Sequence, residues 1–201
     1  MSRTSPGLLA LTLALLTATV VHAQTPAATT DPVYTGAGEL VPPTNYREWV
    51  YLSTGMNMSY IKRLPGMGRD MFSNVFVNPQ GYREFQRTGI WPDKTMLVLE
   101  VRGATSKGSI NKQGFYQSAD IMGLEMHVKD TRLPGGWAFF GDNGGKPAKP
   151  IPQTADCYSC HKDHAAVDTT FVQFYPTLLG VARQNGTLSA AYVAEQAQAA
   201  R

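Results

Sequence analysis

The chain has 201 residues, a formal net charge of +3, and 43% hydrophobic and 10% aromatic residues. That apolar content excludes a chain disordered throughout, and the length suffices for one domain with a real core. The near-neutral balance gives no basis for binding nucleic acid or an anionic membrane.

The N-terminus opens with a single positive charge, Arg3, followed by an apolar run from Leu8 to Val21 and the sequence Val21-His22-Ala23. This is the pattern of a secretory leader, with cleavage expected after Ala23. A membrane anchor is the alternative, but the run is short for a span and is interrupted by threonines. Removing residues 1–23 leaves a formal charge of +2 and no further stretch apolar enough to cross a bilayer. The expected location is therefore the bacterial periplasm. Residues 24–45, richest in Ala, Thr, Pro and Gly up to Pro43, read as a flexible linker. The domain is expected over residues 46–183, followed by an Ala/Gln-rich tail over 184–201 that reads as frayed helix.

Within the domain, Asn45 and Glu48 predict a short helical turn through Trp49. Residues 50–61 have mixed periodicity and carry no firm assignment. Alternation predicts a strand over Phe72 to Asn78. Asn78-Pro79 then predicts an N-cap and first helical position, with the helix ending at Gly89. Thr95 to Arg102 reads as a central strand: Thr95, Leu97, Leu99 and Val101 face one way, Met96, Val98 and Glu100 the other, and both faces are largely apolar. Two further strands are expected at Phe115–Ser118 and Ile121–Lys129, and a short one at Trp137–Phe140. Gly141 to Thr154 is a loop long enough to wrap a bound group. Near the C-terminus, Asp168 is expected to cap a helix carrying Phe171, Phe174, Tyr175, Leu178 and Leu179, kinked at Pro176. Strands first and helices last, joined by short links, indicate an α+β fold with a mainly antiparallel sheet and a C-terminal helix bearing the motif described next.

The only two cysteines lie in Cys157-Tyr158-Ser159-Cys160-His161. Cys-x-x-Cys-His is the attachment signature of a c-type haem: two thiols add across the two vinyl groups, and the next imidazole sits beneath the iron. One covalent haem c is expected, with His161 as proximal ligand. A thioredoxin-like dithiol would instead open an early βαβ unit. A zinc site from Cys157, Cys160 and His164 lacks a fourth ligand. A disulfide here would close a tiny loop of little stabilising value.

Several segments together resemble one family. "NYREWV", "FVNPQGYREFQRTG", "GLEMHVKD", "WAFF" and "CYSCHKDHAAVDTTFVQFYP" occur in this order in the cytochrome P-460 family, and the resemblance runs roughly from Tyr46 to Leu179. It implies a mainly antiparallel sheet with a few helices, a periplasmic homodimer, and one c-type haem with an open distal side. One branch of the family oxidises hydroxylamine and carries a lysine bonded to the porphyrin edge. The other, cytochrome c′-beta, lacks that bond and binds NO or CO. The lysine position corresponds to Leu99, which cannot form the bond; Lys94, five residues earlier, would point wrongly. The resemblance also implies a distal carboxylate at Glu125, a candidate base toward hydroxylamine. Alternation alone would leave Glu125 solvated beside Lys129.

Three functions follow as expectations. The first is a five-coordinate haem that binds small diatomic ligands, with Leu97 and Leu99 as an apolar wall. The second is hydroxylamine oxidation with Glu125 as base. The third is electron transfer to a partner cytochrome, with a sixth ligand from Met56, Met58, Met67, Met71, Met126 or His127. His127 otherwise reads as an exposed strand residue, His164 as too near His161 to reach the opposite haem face, and Phe72, Phe76 and Phe115 as candidates for a distal cap.

Overall fold

The computed structural model describes residues 30–59 and 68–199. The expected leader and Met67 lie outside them. Five strands form one antiparallel sheet in sequential order: β1 (Val50–Met56), β2 (Met71–Val77), β3 (Met96–Thr105), β4 (Tyr116–Lys129) and β5 (Trp137–Phe140). Helix α1 (Pro79–Thr88) joins β2 to β3, and α2 (Asp156–His164), α3 (Pro176–Asn185) and α4 (Ala190–Ala199) follow the sheet. The fold is α+β, as the order of patterns predicts, with β3 at the centre of the sheet.

Both faces of the first part of β3 are covered, which is why Met96, Leu97, Val98 and Leu99 form an unbroken apolar run. On one face Leu97 packs with Val77, Phe85 and Trp91 and with Val172, Leu178, Ala182 and Tyr192 from the C-terminal helical region. On the other, Met96 and Val98 pack with Met126, Val128, Phe140, Tyr46, Trp49 and Leu40. Full burial of each such large side chain contributes roughly 1.5–3 kcal/mol.

Several local expectations change. Residues 30–43, part of the expected linker, pack on the domain: Leu40 is fully buried and exchanges backbone hydrogen bonds with Ala148. The turn after Asn45 is a 3₁₀ turn over Tyr46–Glu48, without a side-chain cap from Asn45. Asn78 does not cap α1 either. Its side chain donates to the Lys94 carbonyl (3.0 Å) and accepts from Met96 N–H (3.0 Å), stitching β2 to the start of β3. The two strands expected at 115–118 and 121–129 are one irregular strand, β4, paired with a β3 that runs past the expected end at Arg102 to Thr105. Asp168 caps nothing: it sits at φ 50° in a turn, a 3₁₀ turn covers Val172–Phe174, and Pro176 opens α3 instead of kinking a longer helix. A proline at the first helical position removes no hydrogen bond, so the helix starts where it was expected to bend. The tail forms α4, with Tyr192 buried in the core.

Candidate functional site

On α2, Cys157, Cys160 and His161 occupy positions i, i+3 and i+4, one face of the helix. Asp156 in the first turn and Lys162 in the last complement the helix dipole. Tyr158 ties the helix to the sheet, its hydroxyl donating to the Ile151 carbonyl (3.0 Å) and accepting from Phe139 N–H (3.2 Å). The two thiols are not bonded to one another, and burial raises the pKa of Cys160, reinforced by Asp163 and Cys157.

That helix face looks across a cavity of about 270 Å³ at the sheet. The register builds the opposite wall in rows. Ser53 pairs with Val75, Val75 with Leu99, and Leu99 with Glu125; the next row runs from Val77 through Leu97 and His127 to Phe139. A bulge in β1 at Leu52 lets Leu52 join the core while the next residue, Ser53, lines the cavity. Leu97 and Leu99 both face the cavity, with Cys157 and His161. Glu125 lines it too, so the strand face that alternation assigned to solvent is the cavity face. Met58 also contributes; any side chain at Gly55 would collide with its thioether.

His161 is held in one orientation. Its Nδ1–H donates to the Thr169 carbonyl (2.7 Å), and its ring packs against Phe171 (4.2 Å between centroids) and Phe139 (4.6 Å). Burial lowers its pKa, partly opposed by the Thr169 carbonyl, which favours the neutral ring that binds metals. The hydrogen bond occupies Nδ1 and leaves Nε2 as the free donor atom. The turn that offers Thr169 is clamped on both sides: Lys129 Nζ pairs with Asp168 (3.0 Å), and Trp91 Nε1–H donates to Thr170 Oγ1 (2.7 Å).

His127, a candidate sixth ligand otherwise expected to be an exposed strand residue, is buried. It is only 8% exposed, stacked on Phe139 at 3.9 Å between centroids and lying 5.4 Å from the His161 ring. Burial, and then the neighbouring His161, holds its pKa well below the usual histidine value. Its Nε2 lies 3.2 Å from Thr169 Oγ1.

Other candidates lie elsewhere. Lys94 pairs with Asp130 (2.6 Å) and Asp93 (3.4 Å) at the end of the sheet, away from the cavity wall. His164 faces Glu195 at 3.4 Å. Phe76 packs against Tyr46 and Tyr51, and Phe72, an even number of residues away on β2, shares that face. Phe115 is exposed beyond the cavity. The aromatics that do line the cavity are Phe139, Phe140, Phe171, Phe174 and Tyr175. Their signal was present in "WAFF" and "FVQFYP", but only the packing brings the two segments together. Glu100, beside Leu99, lies on the opposite face with Tyr46 (2.5 Å), Arg102 (2.6 Å), Arg47 and Asn74 as partners. Burial opposes its ionisation, but hydrogen bonds from Arg102 and Tyr46 and the two guanidinium charges prevail and lower its pKa.

Two thiols and an oriented imidazole on one helix face, opposite an apolar wall flanked by aromatic rings, form a donor set and a surface suited to an iron porphyrin: ligand nitrogen beneath, flat apolar contacts around. These features define a haem-binding α+β protein. The family model for cytochrome P460 matches residues 43–172, well over half of the chain, and the chain belongs to that family, which implies a haem cofactor. A search of curated proteins finds no match.

Proposed function

We propose that this is an exported, periplasmic protein of the cytochrome c′-beta type, with one haem held covalently by Cys157 and Cys160 and ligated by His161. Its role in this reading is to bind a small diatomic ligand, NO or CO, at an open axial position. When bound, the haem iron supplies that position together with one-electron redox chemistry. Everything else is the work of the chain: α2 presents the two thiols, Thr169 fixes the imidazole, and Val75, Leu97 and Leu99 exclude water and offer no hydrogen bond to an anion.

The observation that carries the reading is the placement of Leu99. In the resemblance this position belongs to the cross-linking lysine of the hydroxylamine-oxidising branch, and here its side chain lines the cavity as an alkyl group. Lys94 is engaged by Asp130. A second reading, hydroxylamine oxidation, draws support from Glu125, which pairs in register with Leu99 and lines the same cavity as a possible base. A homodimer and a redox partner cytochrome belong to the proposal as well.

An optical spectrum of the haem-loaded protein tests it. The expected result is an ordinary high-spin ferrous band that shifts on adding NO or CO. A strongly red-shifted ferrous Soret band would signal a lysine cross-link and favour the second reading. A low-spin spectrum indifferent to CO would remove both. Alanine at Cys157 and Cys160 should abolish haem staining on a denaturing gel; persistent staining would overturn covalent attachment.

A further inference from the structure

We infer that His127 is a positioning residue for the proximal imidazole, acting through Thr169; the inference rests on the proposal that His161 ligates the haem iron. An imidazole buried in a sheet needs a polar partner, because an unmatched buried nitrogen costs free energy that an apolar residue would not. His127 finds one at Thr169 Oγ1, 3.2 Å away. The same residue's backbone carbonyl accepts the Nδ1–H of His161 at 2.7 Å. A single threonine therefore links the two rings, by its side chain to one and by its main chain to the other.

The geometry makes His127 the stiff end of this link. Its ring lies nearly parallel to Phe139 (16° between planes, 3.9 Å) and against Trp137 (4.4 Å), so neither tilt nor slide is free. Trp137 is itself covered by the Lys129 ammonium at 5.5 Å. The flanks of the turn are already tied, Asp168 to Lys129 and Thr170 to Trp91. Thr169 stands between those anchors, and the contact with His127 fixes its side chain. Removing it frees the Thr169 peptide to rotate between two held neighbours, and the carbonyl then meets Nδ1–H at a longer, less linear approach.

The consequence is chemical. A strong hydrogen bond from Nδ1–H to a carbonyl raises electron density on Nε2 and makes the imidazole a better donor to a metal. The His127–Thr169 contact would therefore keep His161 a strong donor toward an iron held there.

The test is resonance Raman spectroscopy of the ferrous, haem-loaded full-length protein, reading the iron–histidine stretching frequency. Wild type should show this band; His127→Ala should shift it to lower frequency and broaden it. Thr169→Val, nearly isosteric and with its carbonyl retained, should reproduce that shift even if the alanine variant folds poorly. His127→Gln, which can still reach Thr169 Oγ1, should restore most of it. A band in Thr169→Val and His127→Ala unmoved from wild type would overturn the inference and leave the ligation proposal intact. Absence of any iron–histidine band in wild type would overturn that proposal, and this inference with it.

Discussion

Leu99 and Glu125 face each other across β3 and β4, and the chemistry of the cavity turns on that pair. Among the described residues no lysine or arginine lines the wall beside the Glu125 carboxylate, and a carboxylate has no hydrogen bond to offer a neutral diatomic. In the gas-binding reading Glu125→Gln should therefore change CO or NO affinity by no more than about threefold, within the small range expected when no direct contact is lost. If the protein oxidises hydroxylamine with Glu125 as base, the same substitution should lower turnover about 10²–10⁴-fold. Stopped-flow CO binding and a hydroxylamine assay on the two proteins separate the cases. At this scale the sequence was only partly readable. The thiols and His161 carry their signature in their spacing, whereas His127 sits in an alternating polar pattern that predicts solvent. It is buried because the cavity face of β4 is covered by Phe139 and the 165–175 segment.

At the scale of elements, the site depends on how the ends of β4 and α2 are tied. Asp130 closes β4 fully buried, paired with Arg132 (2.7 Å) and Lys94 (2.6 Å) and accepting from Arg132 N–H (2.9 Å). The Arg132 hydrogen bonds, with Lys94, hold its carboxyl far below the usual carboxylate range despite burial. A depressed carboxylate contributes stability that is complete above its unfolded pKa, about 4, and is lost as pH falls toward its native value. Asp130→Asn should therefore cost about 2 kcal/mol at pH 7, a figure held down by the exposure of Arg132. The difference should shrink progressively below about pH 4. Urea midpoints of both proteins across that range check it; a difference independent of pH down to pH 2 would mean that the ion pairs are not its source. The elements themselves were largely legible. The boundaries that shifted did so where a side chain was taken by the tertiary structure, as Asn78 by β3, or where a proline starts a helix that its position alone suggests it should bend.

For the whole molecule, the sheet leaves one feature unspent. β5 pairs only with Met126–Lys129, so among the described residues the outer edge of β4 from Tyr116 to Glu125 has no partner strand. That arm exposes Phe115, Tyr116, Ile121 and Met122, with Ile110 90% exposed at its tip. A free edge with apolar side chains invites pairing, and it is the surface on which the proposed homodimer should form. Replacing Ile121 and Met122 with lysine should convert a dimer to a monomer in sedimentation velocity without moving the haem spectrum. A double variant that stays dimeric would locate the interface elsewhere.

By itself the sequence determined most of the secondary elements, though not β1, together with the α+β class and the grouping of two thiols and one imidazole on a helix face, because each depends on a local period: two for strands, 3.6 for helices, three and four for the motif. Only the tertiary structure decided which face of the sheet that helix meets. Met96 and Val98 are as apolar as Leu97 and Leu99, and alternation says which residues share a face but never what covers it. The chain's choice to lay α2 over the face of Leu99, Glu125 and His127 comes from contacts more than thirty residues apart in sequence, such as Thr169 with His127 and Trp91 with Thr170, which no local pattern encodes.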